Sequence, residues 1–234
     1  MAVLYGVLFG NIALQGQMSS LVLIPTVIIN FLGIKFIASR MGQKKALLFG
    51  TYGAIGTSVL MFCLMVWGDP GSFSFTNISF FTIAFCLLWI FQKGFSGISG
   101  NIVIPMTADC ADYETYRTGK YVPGLMGTLF SFVDKVISSL ASTIVALMFA
   151  LVGYAQEVPT DKSPWSEGLF WVVVIAFTIV PIIGWLCNVG AMKFYPLTKE
   201  KMEEIQEKIA EIKAKNLAEN EAAAAAEAVE AELP

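Results

Sequence analysis

Three ionisable side chains interrupt otherwise apolar sequence. Lys93 separates the charge-free runs Pro70 to Gln92 and Gly94 to Ala108, and the adjacent Asp134 and Lys135 precede the run Val136 to Gln156. Charge at membrane depth is costly, so each of the three marks a functional position by default. Lys93 lies sixteen residues before Asp109, about 24 Å of helix, and Asp134 lies thirteen after Tyr121, about 20 Å. Antiparallel helices bring such groups to similar depth, which predicts a Lys93–Asp134 ion pair. Neighbouring residues on a helix point about 100° apart, so Lys135 is then left to face a central cavity. The competing reading is that Lys93 snorkels past Gly94, Gly97 and Gly100 and pairs with nothing. A second cluster comprises Asp109, Asp112, Tyr113, Glu114, Arg117 and Lys120. Two acids three residues apart share one helical face and precede two bases. That pattern suits either an ion-paired latch that breaks when helix ends part, or an ordinary solvated loop.

Other chemistry is excluded by composition. There is no histidine, which removes imidazole metal ligands and both Ser-His and Cys-His nucleophile systems. Cys63, Cys86, Cys110 and Cys187 lie in or beside apolar runs without C-x-x-C spacing, so neither zinc nor a disulfide framework is indicated. An intramembrane hydrolase lacks both a G-x-S-x-G motif and paired carboxylates within the apolar runs. Residues 1–198 carry a net charge of +2 and residues 199–234, with five lysines and ten glutamates, −5. No basic cluster offers a nucleic-acid surface.

The elements that must position these groups are membrane spans. With 56% apolar residues, 14% charged residues and a mean hydropathy of +0.68, the chain reads as an all-α membrane protein, not a secreted soluble domain. Spans are predicted at about 17–38, 46–68, 77–107, 122–153 and 168–193, each long enough for the ~30 Å hydrocarbon core. Arg40, Lys44, Lys45, Arg117, Lys120, Lys193, Lys199 and Lys201 gather at alternate ends, which the positive-inside rule makes cytoplasmic, the C-terminus included. Residues 1–14 reach only about 21 Å and read as the end of a longer helix. The third and fourth spans exceed the bilayer, implying tilt, kinking or projection into the cytoplasm, with Gly94, Gly97 and Gly100 as bend points in the third.

Gly50, Ala54 and Ser58 recur every four residues and predict close helix packing. Pro25 and Pro181 fall inside spans, as packing kinks or gating hinges. Beyond Pro196, Thr198 can cap a helix over 198–217 whose apolar face is Met202, Ile205, Ile209 and Ile212. That face either lies along the bundle or is solvated. The Ala/Glu tract 218–234 is expected to be disordered.

Several motifs together resemble one family. The run Ile104-Pro105-Met106-Thr107 through Ala108-Asp109-Cys110-Ala111-Asp112-Tyr113, then Tyr116-Arg117-Thr118-Gly119, Gly124-Leu125 and Phe132-Val133-Asp134-Lys135, is similar to the glycoside-pentoside-hexuronide:cation symporters, the melibiose permease-like branch of the major facilitator superfamily. Arg40-Met41-Gly42-Gln43-Lys44-Lys45 and Tyr195-Pro196-Leu197-Thr198 extend the likeness, which covers roughly 17–215. The resemblance implies the C-terminal six-helix bundle of a twelve-helix sugar transporter. Residues 1–14 are then the remainder of an incomplete helix seven, and 15–197 are helices eight to twelve. Lys135 matches a lysine near the sugar and cation sites, Ser131 a hydroxyl position beside it, and Asp109, Asp112, Tyr113, Arg117 and Lys120 a cytoplasmic gating loop. Depth alone places Lys93 and Asp134 in the same vicinity. Asp134 departs from the family's apolar residue, and Gly100 stands where melibiose permease-like members carry a sugar-contacting tryptophan. The implied partners are a small sugar, a monovalent cation (Na⁺ or H⁺) as coupling ion, the lipid bilayer and the missing N-terminal half, with no other cofactor. A different class of reading is a non-transporting membrane subunit or scaffold, or an inactive truncation product.

Overall fold

The computed structural model describes residues 3–119, 123–154, 159–160, 163 and 166–211, and among these all regular structure is helical. Five helices are long and apolar enough to cross a membrane: α1 (Ala13–Met41), α2 (Gln43–Trp67), α3 (Phe80–Thr118), α4 (Pro123–Leu151) and α5 (Glu167–Phe194). A sixth, α6, spans 199–211. Start signals follow local capping chemistry. Asn11 Oδ1 accepts from Ala13 N at 2.9 Å, Ser79 Oγ from Thr82 N at 3.1 Å and Ser166 Oγ from Leu169 N at 3.2 Å, each satisfying an amide that the first turn leaves free. Ahead of α1, Leu4–Leu8 form a π-helical turn with Leu4, Tyr5 and Leu8 buried. Further π-helical turns interrupt α1 at Ile34–Ala38 and α5 at Ile175–Ile179.

The body of the bundle is the seam between α2 and α3. A Cβ added to Gly50 would lie 2.8 Å from Phe95 O and 2.9 Å from Ser99 N, so the two backbones touch where only a hydrogen fits. Ala54 and Ser58 continue the buried stripe, as their spacing predicts. The seam also holds a polar triad: Thr51 Oγ1 donates to Leu47 O (2.9 Å), accepts from Asn188 Nδ2 (3.0 Å) and stands 2.9 Å from Ser99 Oγ. α1 reaches α3 over Gly94 and Gly97, whose missing side chains admit Ile29 and Asn30. Both glycines are therefore points of close contact between the two helices.

At one end, Phe9, Phe73 and Phe85 interlock, with Phe9 and Phe73 stacked at 4.3 Å and Phe85 meeting each edge-on. Basic residues collect at the other, hereafter the basic end. There Gly42 joins α1 to α2 with φ +81, and an added Cβ would strike Lys199 at 2.9 Å, so the position requires glycine twice over. α3 continues beyond the predicted 107 to Thr118 and stops at Gly119, φ +71. The segment expected as a charged loop is a helical extension, because nothing between Asp109 and Thr118 breaks a helix. At about 58 Å, α3 projects well past the bilayer core.

Candidate functional site

Two open cavities meet at the middle of α3. One, of about 420 Å³, is lined by Trp89, Gln92, Lys93, Ser96, Phe177 and Trp185, among others. The second, about 280 Å³, shares Trp89 and Lys93 and adds Gln15, Ser19 and Thr26 from α1. Lys93 lies thirteen residues from the start of α3 and sixteen from Asp109, hence about 20 Å and 24 Å from either reference, near mid-membrane. Its ammonium sits 4.7 Å from the centre of the Trp89 ring, an i, i+4 cation–π contact. Trp89 stacks on Phe177 at 5.0 Å. Gln92 Oε1, Thr26 Oγ1 and Asn30 Oδ1 are buried without a hydrogen-bond partner. Unpaired buried polar atoms are costly; Gln92 and Thr26 belong to residues that line the cavities, whereas Asn30 lies against Gly97.

The Lys93–Asp134 ion pair is not formed. The ion pairs among the described residues are Arg117–Glu114 (3.1 Å), Lys201–Glu204 (3.0 Å) and Lys208–Glu204 (3.4 Å). Ser131, Asp134 and Lys135 are all exposed on α4, away from both cavities. Equal depth along two helices does not make two side chains lateral neighbours.

The charged segment has different partners from those expected. Arg117 pairs within its own helix with Glu114, while Asp112 Oδ2 accepts from Gln206 Nε2 of α6 at 2.6 Å. Asp109 lines a cavity of about 300 Å³ with Gln43, Lys199 and Gln206. Tyr113 stacks on Tyr116 at 6.5 Å, and both pack against the buried Leu197, Ile205 and Ile209. The predicted apolar face of α6 therefore lies along the bundle. Lys208 Nζ donates to Tyr116 O–H oxygen at 3.2 Å, and Lys44 Nζ to Tyr195 O at 2.5 Å. Burial pushes the Tyr195 phenol up, so it stays neutral, and Lys201 and Lys208 hold the Glu204 carboxyl below its usual range. Lys120, Ile212, the rest of the 198–217 helix beyond 211 and the 218–234 tail lie outside the described residues.

Sequence reasoning missed Trp89, Gln92, Thr26, Asn30 and Trp185. The signal was present in α1, where Gln15, Ser19, Thr26 and Asn30 recur at intervals of four, seven and four and so share one helix face.

Comparison with known proteins places this geometry in context. A family model described as MFS/sugar transport protein matches residues 8–199. The glucuronide carrier protein homolog of Escherichia coli (strain K12) is 28% identical over 168 residues, covering 71% of this chain and 33% of that protein. The isoprimeverose transporter of Lactiplantibacillus pentosus is 24% identical over 184 residues, 78% of this chain and 34% of that one. A putative 2,3-dihydroxypropane-1-sulfonate exporter of Escherichia coli (strain K12) is 27% identical over 175 residues, 73% and 33% respectively. The chain thus spans about one third of the length of these relatives. No solved structure matches.

Proposed function

Because the chain belongs to the MFS/sugar transport protein family, within the glycoside-pentoside-hexuronide group, we propose that it is the C-terminal half of a sugar:cation symporter of the cell membrane. The observation that carries this reading is the family match across all five spans, residues 8–199. The permeant is a glycoside, pentoside or hexuronide, and the coupling ion is Na⁺ or H⁺. Alternating access needs two bundles that rock about a mid-membrane site. The present five spans supply one wall of that site, and a six-helix N-terminal half supplies the other.

In this reading the exposed face of α4, with Ser131, Asp134 and Lys135, turns toward the second bundle and the permeation path. Lys135 then exchanges partners as the coupling ion binds or leaves, which ties ion occupancy to sugar affinity. The basic end is cytoplasmic. There the extension of α3 with Asp109, Asp112, Tyr113 and Arg117, clamped by α6, closes the inward gate and must shift when the bundles part.

The test is uptake of radiolabelled glycosides, pentoses and hexuronates into vesicles holding this chain alone or with the N-terminal half of a related symporter. Uptake is expected only with the companion half, dependent on Na⁺ or H⁺, and reduced at least tenfold by Lys135→Ala. A correctly inserted pair that takes up nothing would overturn symport in favour of a non-transporting membrane subunit.

A further inference from the structure

Among the described residues Lys93 has no acidic partner. On the described spans the carboxylates are Asp109, Asp112 and Glu114 at the basic end of α3, Asp134 on α4 and Glu167 at the start of α5, and none is ion-paired with Lys93. The side chain is exposed into an open cavity near mid-membrane, where neither lipid tails nor the Trp89 ring can neutralise its charge. Around it stand the features that recognise a sugar ring. Trp89, Phe177 and Trp185 offer apolar faces for ring C–H groups, while Gln92 and Ser96 add polar side chains to the same lining. The 420 Å³ volume falls within the usual range of small-ligand sites.

We infer that the permeant is a sugar acid, and that Lys93 is the residue that selects it by pairing with its carboxylate. The inference rests on the sugar-transport reading above and narrows it. A neutral sugar fits the aromatic walls and the Gln92 amide but gives the ammonium no counter-charge, whereas a sugar carboxylate pairs with it and completes the set of contacts. Every group named lies on the wall of the site that this chain supplies, so the pairing can be read on this chain.

The experiment is ligand titration of the chain in lipid nanodiscs, read by quenching of the cavity tryptophans. The probes are D-glucuronate, D-glucuronamide, which is the same size but uncharged, and methyl β-D-glucoside. Glucuronate is expected to bind at least tenfold more tightly than the amide. Lys93→Gln should abolish that ratio while leaving amide binding in place, and Lys93→Arg should keep it, which separates loss of charge from loss of folding. Equal binding of acid and amide to the unaltered chain, or a ratio that survives Lys93→Gln, overturns the assignment to Lys93 and leaves sugar transport standing. If no sugar binds yet the two-half vesicles show uptake, the inference falls alone, and if both assays are silent, the transport reading falls with it.

Discussion

Helices α2 and α4 are of similar length and hydropathy, yet the protein treats them in opposite ways. α2 buries Ala46, Leu47, Gly50, Thr51, Ala54, Ser58, Met61 and Met65 against its neighbours. On α4 every residue from Thr128 to Ile144 is exposed. The polar groups differ accordingly. Thr51, Ser99 and Asn188 satisfy one another inside the seam, whereas Ser131, Asp134 and Lys135 point away from the bundle. Hydroxyls and amides hold this bundle together, and full charges are displayed on its outer face. Such a division suits a chain in which one helix pair is scaffold and another helix is an interface.

The sharpest way to break the contrast is to overfill the seam. Gly50→Leu forces a side chain into the Phe95 and Ser99 backbone and should cost about 3 kcal/mol, read as a fall in thermal unfolding temperature in nanodiscs. Leu140→Ala on α4 should stay within about 0.5 kcal/mol of the unaltered chain. Comparable losses at the two sites would erase the distinction. Next in size, Ile205→Ala empties a fully buried position under α6 and should weaken its docking by about 2 kcal/mol or more. Hydrogen exchange would rise across 199–211 and along the end of α3 while the Thr51 region stays protected. Thr51→Val keeps the shape of the seam but strands Asn188 and Ser99, with an expected loss of about 1–2 kcal/mol. No loss there would mean that packing alone holds α2 to α3 and α5.

The smallest effect is one of pH. Glu204 is ionised below the usual carboxylate range because Lys201 and Lys208 flank it, so its contribution is present at neutral pH and fades as pH falls through the folded value. Asp109, which burial and the nearby Asp112 push up to about 6, faces α6 across the cavity it lines, so protection of α6 should rise slightly as pH falls through about 6 and then decline as Glu204 is neutralised, the second step shrinking in high salt. Protection that changes at neither step would place the clamp's electrostatics elsewhere.

The legible parts of the molecule were those with a local period. Gly50, Ala54 and Ser58 announce a contact surface, and Met202, Ile205 and Ile209 announce one face, because both patterns are written along single helices. The site was less so. The cost of charge in the bilayer singles out Lys93, but its contact with Trp89, one turn away, has no periodic signature, and equal depth does not supply a partner on another helix. Depth fixes one coordinate of three, and the two lateral ones depend on how helices rotate and pack. Thr51 and Asn188 are 137 positions apart, and nothing local connects them. The end of α3 runs past its expected boundary because the residues of the charged run favour helix and its acid and base pair within one turn.

The widened turn at Ile175–Ile179 bears on how the chain tolerates changes in length. A π-helical turn holds one residue more than the α-helix around it, and here it is followed at once by Pro181. Deleting one residue inside this stretch would let the backbone tighten to ordinary helix, so that Asn188 still arrives in phase with Thr51. The same deletion at Ile183 or Leu186 would turn everything beyond it by about 100° and carry the Asn188 amide off the seam. Homologous chains that are one residue shorter in this helix should therefore have lost it between 175 and 179.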